Sequence, residues 1–170
     1  MELPEQLESI GIEAFRSCSK LSQVSIPDSV VMIGRDAFAY CSAITSVRIP
    51  PCVTRMSTTF SHADRKIQDV VLSENFSTIG EYMFYCCTNL KSLAVPAGVS
   101  DFGAYALADS GLETLRFCGK KPSSVNGFAF SRLTFTVEYP AADLSWAELP
   151  TSTWGGAKMI TYEPYGLPFS

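Results

Sequence analysis

The stretch from residue 7 to residue 27 reads LESIGIEAFRSCSKLSQVSIP, and closely related stretches occupy residues 31–50 and 77–96. An apolar residue recurs every 23 residues, at Ile10, Ile33, Met56, Ile79, Phe102 and Val125. A fixed period of this length is typical of stacked repeats and not of a single globular core. The sequence therefore predicts a solenoid of about five to six repeats.

Each repeat contains the signals of one short strand and one tight turn. In the second repeat, Val24 and Ile26 alternate with polar residues, as on one face of a strand. Pro27 then ends the strand, because proline lacks a donor for the hydrogen-bond ladder. Residues 36–41 predict a short helical turn whose core anchor is Phe38. The predicted fold class is therefore α/β, with short parallel strands and short helical turns.

One repeat, within residues 54–76, departs from the pattern. Its aromatic position holds Ser61, although Phe60 lies one residue earlier and can substitute for the anchor with a local shift. Its glycine position holds Ser57. A later repeat is one residue short before the phase recovers. We expect the stack to continue through both irregularities.

The recurring pairs Ile-Gly, Ala-Phe and Ile-Pro, with a cysteine and a leucine at fixed offsets, resemble the BspA-like class of leucine-rich repeats. The resemblance covers roughly residues 3–139, and we predict a leucine-rich repeat solenoid over residues 1–139. The resemblance implies an extracellular or cell-surface protein, mostly bacterial, that binds other proteins or host matrix. It implies no catalytic residue and no cofactor.

The tail from residue 140 to residue 170 breaks the period and holds both tryptophans, Trp146 and Trp154. Residues 137–162 resemble the closing segment that often follows such repeats. Because the last repeat of a stack leaves an unpaired edge and an open core, a non-repetitive aromatic segment is the expected cover. We predict a C-terminal cap over residues 140–170, with a docking surface as the alternative.

The strand positions between the apolar ones define one outward face. The sheet face is the usual binding surface of a solenoid, and here it carries small polar residues and charges of both signs. We predict that a partner binds this face through Gln23, Ser25, Ser46, Arg48, Gln68, Asp69, Lys91, Glu113 and Arg116. The alternative is that these are solvated strand positions without a ligand.

The composition argues against several classes of function. The net charge of −4 disfavours a sequence-independent nucleic-acid binder, which needs clustered Lys and Arg. No apolar run approaches the roughly 18 residues of a membrane span, and residues 1–4 do not begin a signal peptide. Because the first residues match the end of a repeat, we expect a piece of a longer secreted protein. A cytosolic protein is the alternative.

The six cysteines and the single histidine do not form a recognisable reaction centre. Cys18, Cys41 and Cys87 share one repeat position, which predicts small buried groups and not disulfides. No cysteine spacing fits a zinc site, so no metal is predicted. Any Ser–His or Cys–His system would need His62, which lies at a variable position that we expect to be exposed.

These observations leave three main hypotheses for function, and an enzyme that uses His62 ranks behind them. The first is a non-enzymatic module that binds a protein partner with its outward face. The second is a glycan-binding module that uses this face together with exposed tyrosines. The third is a spacer in a longer surface protein, with no ligand of its own. The tyrosines near the turn side are interpreted mainly as packing between repeats, and they are Tyr40, Tyr82, Tyr85 and Tyr105.

Overall fold

The computed structural model describes residues 1–61, 66–148, 154 and 157–162, and these form a β-solenoid. The strands are β1 (Ser9–Ile10), β2 (Met32–Ile33), β3 (Ser46–Arg48), β4 (Arg55–Met56), β5 (Asp69–Val71), β6 (Thr78–Ile79), β7 (Ser92–Val95), β8 (Asp101–Phe102), β9 (Thr114–Phe117), β10 (Ser124–Val125), β11 (Thr136–Pro140) and β12 (Lys158–Tyr162). We call β1, β2, β4, β6, β8 and β10 the back strands, and β3, β5, β7, β9, β11 and β12 the front strands.

All paired strands run parallel, and their register follows the repeat. On the back, Ile79 pairs with Phe102, one full period later. On the front, Leu93 pairs with Leu115, which is 22 residues later, so the predicted short repeat is confirmed. The pairing of Phe102 with Val125 shows that the phase then recovers.

Alternation of buried and exposed residues explains why each strand lies on the outside of a coil. Val47, Leu93 and Leu115 are buried, whereas Ser46 and Ser92 beside them are exposed. The inward residues of successive coils join into one apolar core. Each such side chain contributes roughly 1.5–3 kcal/mol of transfer free energy, so the core and not the two-residue strands stabilises the stack.

The predicted helical turns are wrong, because residues 36–41 form a chain of tight turns. Asp36 and Tyr40 have φ values of 56° and 60°, which a right-handed helix does not contain. The Phe38 N–H donates at 3.0 Å to the carbonyl of Thr59 in the next coil, instead of to a carbonyl four residues back. Pairing between coils thus overrides local helix propensity. Among the described residues the one regular helix is a 3-10 helix at Leu144–Trp146.

A column of stacked phenylalanines fills the turn side of the core. Phe15, Phe38, Phe60 and Phe84 stack in sequence, with ring centroids 5.2, 5.5 and 5.9 Å apart. Phe60 is fully buried, so its predicted substitution for the missing anchor at position 61 is confirmed. The aromatic column therefore continues even where the phase slips by one residue.

Glycine follows the inward residue of a back strand because neighbouring coils approach closely there. A Cβ on Gly80 would lie 2.2 Å from the Met56 carbonyl oxygen, and a Cβ on Gly103 would lie 2.5 Å from the Glu81 nitrogen. Ser57 occupies this position in the irregular coil. The back strands are hydrogen-bonded in two groups, β1–β2 and β4–β6–β8–β10, and the gap between them adjoins that coil.

The tail extends the front side. Strand β12 pairs in parallel with β11 along its whole length. Trp146 and Trp154 are buried, and their rings lie 4.9 and 5.4 Å from the ring of Phe117. The Trp146 indole N–H donates to the Gly119 carbonyl at 3.0 Å. Residues 149–153, 155–156 and 163–170 of the predicted cap lie outside the described residues.

Candidate functional site

The front strands place the predicted partner-binding residues in three rows that cross the coils. Each row collects one strand position, because the strands pair in register. All nine residues are exposed, and the rows contain Gln23, Ser46 and Asp69, then Ser25, Arg48 and Arg116, then Gln68, Lys91 and Glu113. The front strands are hydrogen-bonded in two parts, β3–β5 and β7–β9–β11–β12, although β5 and β7 still pack side by side. We call these two parts the upper half and the lower half.

The upper half contains an open concavity of about 440 Å³. It is lined by five of the nine predicted residues, Gln23, Ser25, Ser46, Arg48 and Asp69. Val71 adds an apolar wall and is 58% exposed. The Arg48 guanidinium is held by the Asp28 carboxylate, to which it donates at 2.7 Å. Among the described residues Asp69 has no ion-pair partner, so its carboxylate faces solvent with its charge uncompensated.

In the lower half, charged residues neutralise one another across neighbouring coils. The Lys91 ammonium lies 3.0 Å from the Glu113 carboxylate. Arg116 donates a hydrogen bond to the Glu138 carboxylate, and its guanidinium lies 5.1 Å from the centre of the Tyr162 ring. The hydrogen bond to Glu138 raises the pKa of Arg116 above its ordinary value. These three predicted residues are therefore already engaged with other residues of the chain.

The back side carries a second surface, which the sequence analysis missed. A concavity of about 640 Å³ between β2 and β4 is lined by Val31, Met32, Arg55 and Ser57, among others, and we call it the back groove. Val31 and Met32 are 57% and 56% exposed. A signal was present in the sequence, because other coils have polar pairs at this position: Glu8-Ser9, Thr54-Arg55, Ser77-Thr78, Ser100-Asp101 and Ser123-Ser124.

The shared cysteine position is buried where a described coil precedes it. Cys41 and Cys87 are fully buried, and the Cys41 thiol donates to the Phe15 carbonyl in the preceding coil at 2.9 Å. Burial raises the pKa of Cys41 to about 11. Cys18 is exposed, so the prediction of a buried group is wrong there, because no described coil stacks on it from the other side. All six cysteines are free thiols.

The tyrosines on the turn side stack on one another. The rings of Tyr82 and Tyr105 lie 5.0 Å apart and those of Tyr105 and Phe128 lie 5.4 Å apart, both nearly parallel. Tyr85 meets Tyr82 edge-on at 5.3 Å. Much of the ring surface that could stack on a sugar is therefore taken up by neighbouring rings. Phe128 and Tyr40 stay 57% and 42% exposed.

The candidates for reaction chemistry gain no support from the described residues. His62 lies outside them, so its surroundings are not described. Across residues 1–61, 66–148, 154 and 157–162, no group of three His, Cys, Asp or Glu side chains is placed to hold a metal ion. In the same part of the chain, no helix has the length and apolar composition that crossing a membrane requires.

The coil geometry and the recurring sequence pattern point to one repeat family. The sequence profile described as the BspA type leucine rich repeat region matches residues 1–113 in six copies. The chain belongs to this family. A search of curated protein sequences finds no significant match.

Solved structures share the fold of this BspA type chain. A leucine rich repeat protein of T. pallidum is 24% identical with a TM-score of 0.62, covering 88% of this chain and 77% of its own. A leucine rich cell surface protein of Faecalibacterium prausnitzii is 21% identical (TM-score 0.54, 84% and 55% covered), and the pneumococcal vaccine antigen PcpA is 17% identical (TM-score 0.59, 96% and 44% covered). The chain spans about half the length of the latter two, and these similarities establish the fold alone.

Proposed function

We propose that this BspA type chain is a non-enzymatic module of a cell-surface or secreted protein, and that it binds a protein partner with its front face. The observation that carries the proposal is the concavity of the upper half, which gathers five of the nine predicted residues. The surface localisation is supported by one structural relative, which is a leucine rich cell surface protein.

The upper half has the chemistry of a protein-binding surface. Ser25 and Ser46 are short, so a partner's backbone can approach the strands closely. The uncompensated carboxylate of Asp69 favours a Lys or Arg of the partner, because opposite charges steer and select binding partners. Val71 offers an apolar contact beside it, as interface centres usually do. The lower half lacks this combination because its charges are paired.

We further propose that the chain divides into a solenoid over residues 1–139 and a cap over residues 140–170. The burial of both tryptophans against Phe117 supports this division. So does the Lys121 N–H, which donates to the Ser145 hydroxyl at 2.8 Å and so fixes the tail to the preceding coil. In this arrangement the cap excludes water from the end of the core.

Binding measurements with purified extracellular-matrix and surface proteins test the proposal. Asp69→Lys should weaken the interaction at least about tenfold, since charge reversal replaces attraction by repulsion. Glu113→Lys is the matched control, because it makes the same change in the lower half. A partner whose affinity falls equally with both variants, or with neither, would contradict an upper-half site.

A glycan-binding module is the alternative, and the exposure of Phe128 and Tyr40 favours it. A glycan array with the wild-type chain and with Phe128→Ala separates the two functions. Sugar binding that is lost in Phe128→Ala and retained in Asp69→Lys would replace our proposal. The absence of any protein or glycan ligand in a correctly folded chain would favour the spacer hypothesis.

A further inference from the structure

In the regular coils, backbone hydrogen bonds seal the junctions between back strands. The Ser100 N–H donates to the Ser77 carbonyl at 3.0 Å, on one flank of the paired strands. On the other flank, the Gly103 N–H donates to the Ile79 carbonyl at 2.9 Å. At these positions of a regular junction, no backbone N–H or carbonyl is free to bind a partner.

The junction between β2 and β4 lacks both of these bonds. If this junction followed the pattern of the regular coils, the Thr54 N–H would donate to the Val31 carbonyl and the Ser57 N–H would donate to the Ile33 carbonyl. Neither bond is formed, and β2 and β4 belong to separate hydrogen-bonded groups. Two donors and two acceptors therefore line the back groove without backbone partners among the described residues. Unpaired strand edges of this kind are templates for another extended chain.

Two departures from the repeat coincide at this junction. Ser57 has a side chain where regular coils have glycine, and the link from Met56 to Phe60 is one residue shorter than in the other coils. The side chain alone does not open the stack, since Asn126 occupies the same position and still donates to the Phe102 carbonyl at 2.9 Å. The combination with the shortened link is what sets this coil apart.

The side chains around the groove complement its backbone. Val31 and Met32 expose apolar surface along β2. Arg55 lines the opposite strand, is exposed, and has no ion pair among the described residues. An apolar strip beside an uncompensated cation favours an occupant that carries apolar and acidic side chains close together.

We propose that the back groove binds an extended segment of a protein partner that carries acidic and apolar side chains on one face, since Met32 and Arg55 both point outward. The segment's backbone pairs with the open groups of Thr54 and Ser57, its acidic side chain pairs with Arg55, and its apolar side chains lie on Val31 and Met32. Addition of a strand to an exposed edge is a common mode of peptide recognition. This site is separate from the front face, so either proposal can be contradicted without affecting the other.

Fluorescence anisotropy with defined probes tests the inference. The probe is a fluorescein-labelled hexapeptide Ser-Leu-Ser-Glu-Ser-Leu, which places Leu and Glu on one face when extended, and its counterpart has Lys in place of Glu. We expect the Glu peptide to bind more tightly, and Arg55→Glu to weaken it at least about tenfold. Met32→Ser should also weaken binding. Arg48→Glu on the front face is the matched control and should leave binding unchanged.

Amide hydrogen exchange supplies a second readout that a nonspecific peptide effect would not move. The Thr54 and Ser57 amides should exchange faster than those of Ser100 and Gly103 in the free chain, and the Glu peptide should slow them. Equal affinity for both peptides, insensitivity to Arg55→Glu, or no binding up to about 1 mM would overturn the inference. So would a homodimer that Met32→Ser dissociates, since a second copy would then be the occupant.

Discussion

Two junctions of the same solenoid differ in how much of the repeat they retain. Between β6 and β8, the inward residues, the glycine and the flanking hydrogen bonds are all present. Between β2 and β4, the inward residues Ile33 and Met56 are still buried, but the ladder is missing. Apolar burial is therefore sufficient to keep a coil in the stack. Close backbone contact requires, in addition, the correct spacing and a small residue at one position.

The same distinction separates binding surface from scaffold. Where the ladder is complete, the backbone groups are hydrogen-bonded to neighbouring coils. On the lower half of the front, the charged side chains are also paired with one another. Where the repeat is irregular, the back groove exposes backbone, apolar side chains and one cation together. Deviations from a repeat are thus the places to look for specific contacts, since the regular positions serve stacking.

The largest effect should follow removal of an aromatic anchor. We expect Phe60→Ala to cost about 3–5 kcal/mol of unfolding free energy, as much as Phe38→Ala, because both side chains are fully buried in one column. Denaturant titrations measure both losses. Val71→Ala is the exposed control and should change stability by less than about 1 kcal/mol. A Phe60→Ala variant as stable as this control would mean that the irregular coil has no anchor.

A smaller effect should distinguish the two junctions at the glycine position. Gly103→Ala places a Cβ against the Glu81 backbone, and we expect a loss of about 1–3 kcal/mol from this overpacking. Ser57→Gly, at the open junction, should change stability by no more than about 1 kcal/mol, the usual penalty of glycine in regular structure. Thermal melts of the two variants provide the test. Equal losses would show that both junctions are equally tight.

Much of the fold follows from the sequence because the repeat is visible in single side chains. The 23-residue spacing from Ile79 to Phe102 fixed the register, and the pattern of polar residues around Val47 fixed which strand positions face outward. Even the shift to Phe60 could be predicted, since an aromatic residue next to a position that lacks its usual aromatic side chain can fill the same space in the core.

The features that the sequence analysis missed depend on contacts between coils. Residues 36–41 were predicted to form a helical turn, because the hydrogen bond from Phe38 to the next coil is not visible in the local sequence. Exposure of Cys18 reflects its place at the end of the described stack, which the shared repeat position does not reveal. The back groove could not be predicted, because the sequence does not show that β2 and β4 are unpaired. The apolar pair Val31-Met32 was the one sign of its position.

Cysteine reactivity should separate a covered coil from an uncovered one. Burial raises the pKa of Cys41 to about 11, whereas Cys18 in the equivalent position is exposed. Because the thiolate is the reactive form, we expect alkylation of Cys41 at pH 8 to be at least about tenfold slower than alkylation of Cys18. Quantitative mass spectrometry after timed labelling measures the ratio. Comparable rates would indicate that the coil around Cys41 opens readily.

The same shift predicts how stability depends on pH. In the unfolded chain the thiol loses its proton near pH 9, and in the folded chain it does so only near 11. Between these values the unfolded state binds fewer protons, so the contribution to stability is complete below pH 9 and is lost as the pH rises through 11. Cys41→Ala should flatten this decline, and Cys18→Ala should not.

The smallest effect should come from the paired charges of the lower half. Lys91 and Glu113 are both mostly exposed, so a double-mutant cycle with alanine should give a coupling energy of only about 0.2–1 kcal/mol, reduced further by salt. Such a weak pair still matters for recognition, because a partner must first break it to reach either charge. Asp69 imposes no such step, and for that reason the upper half is the better binding surface. A coupling energy well above this range would mean that the lower half is held more rigidly than an exposed ion pair allows.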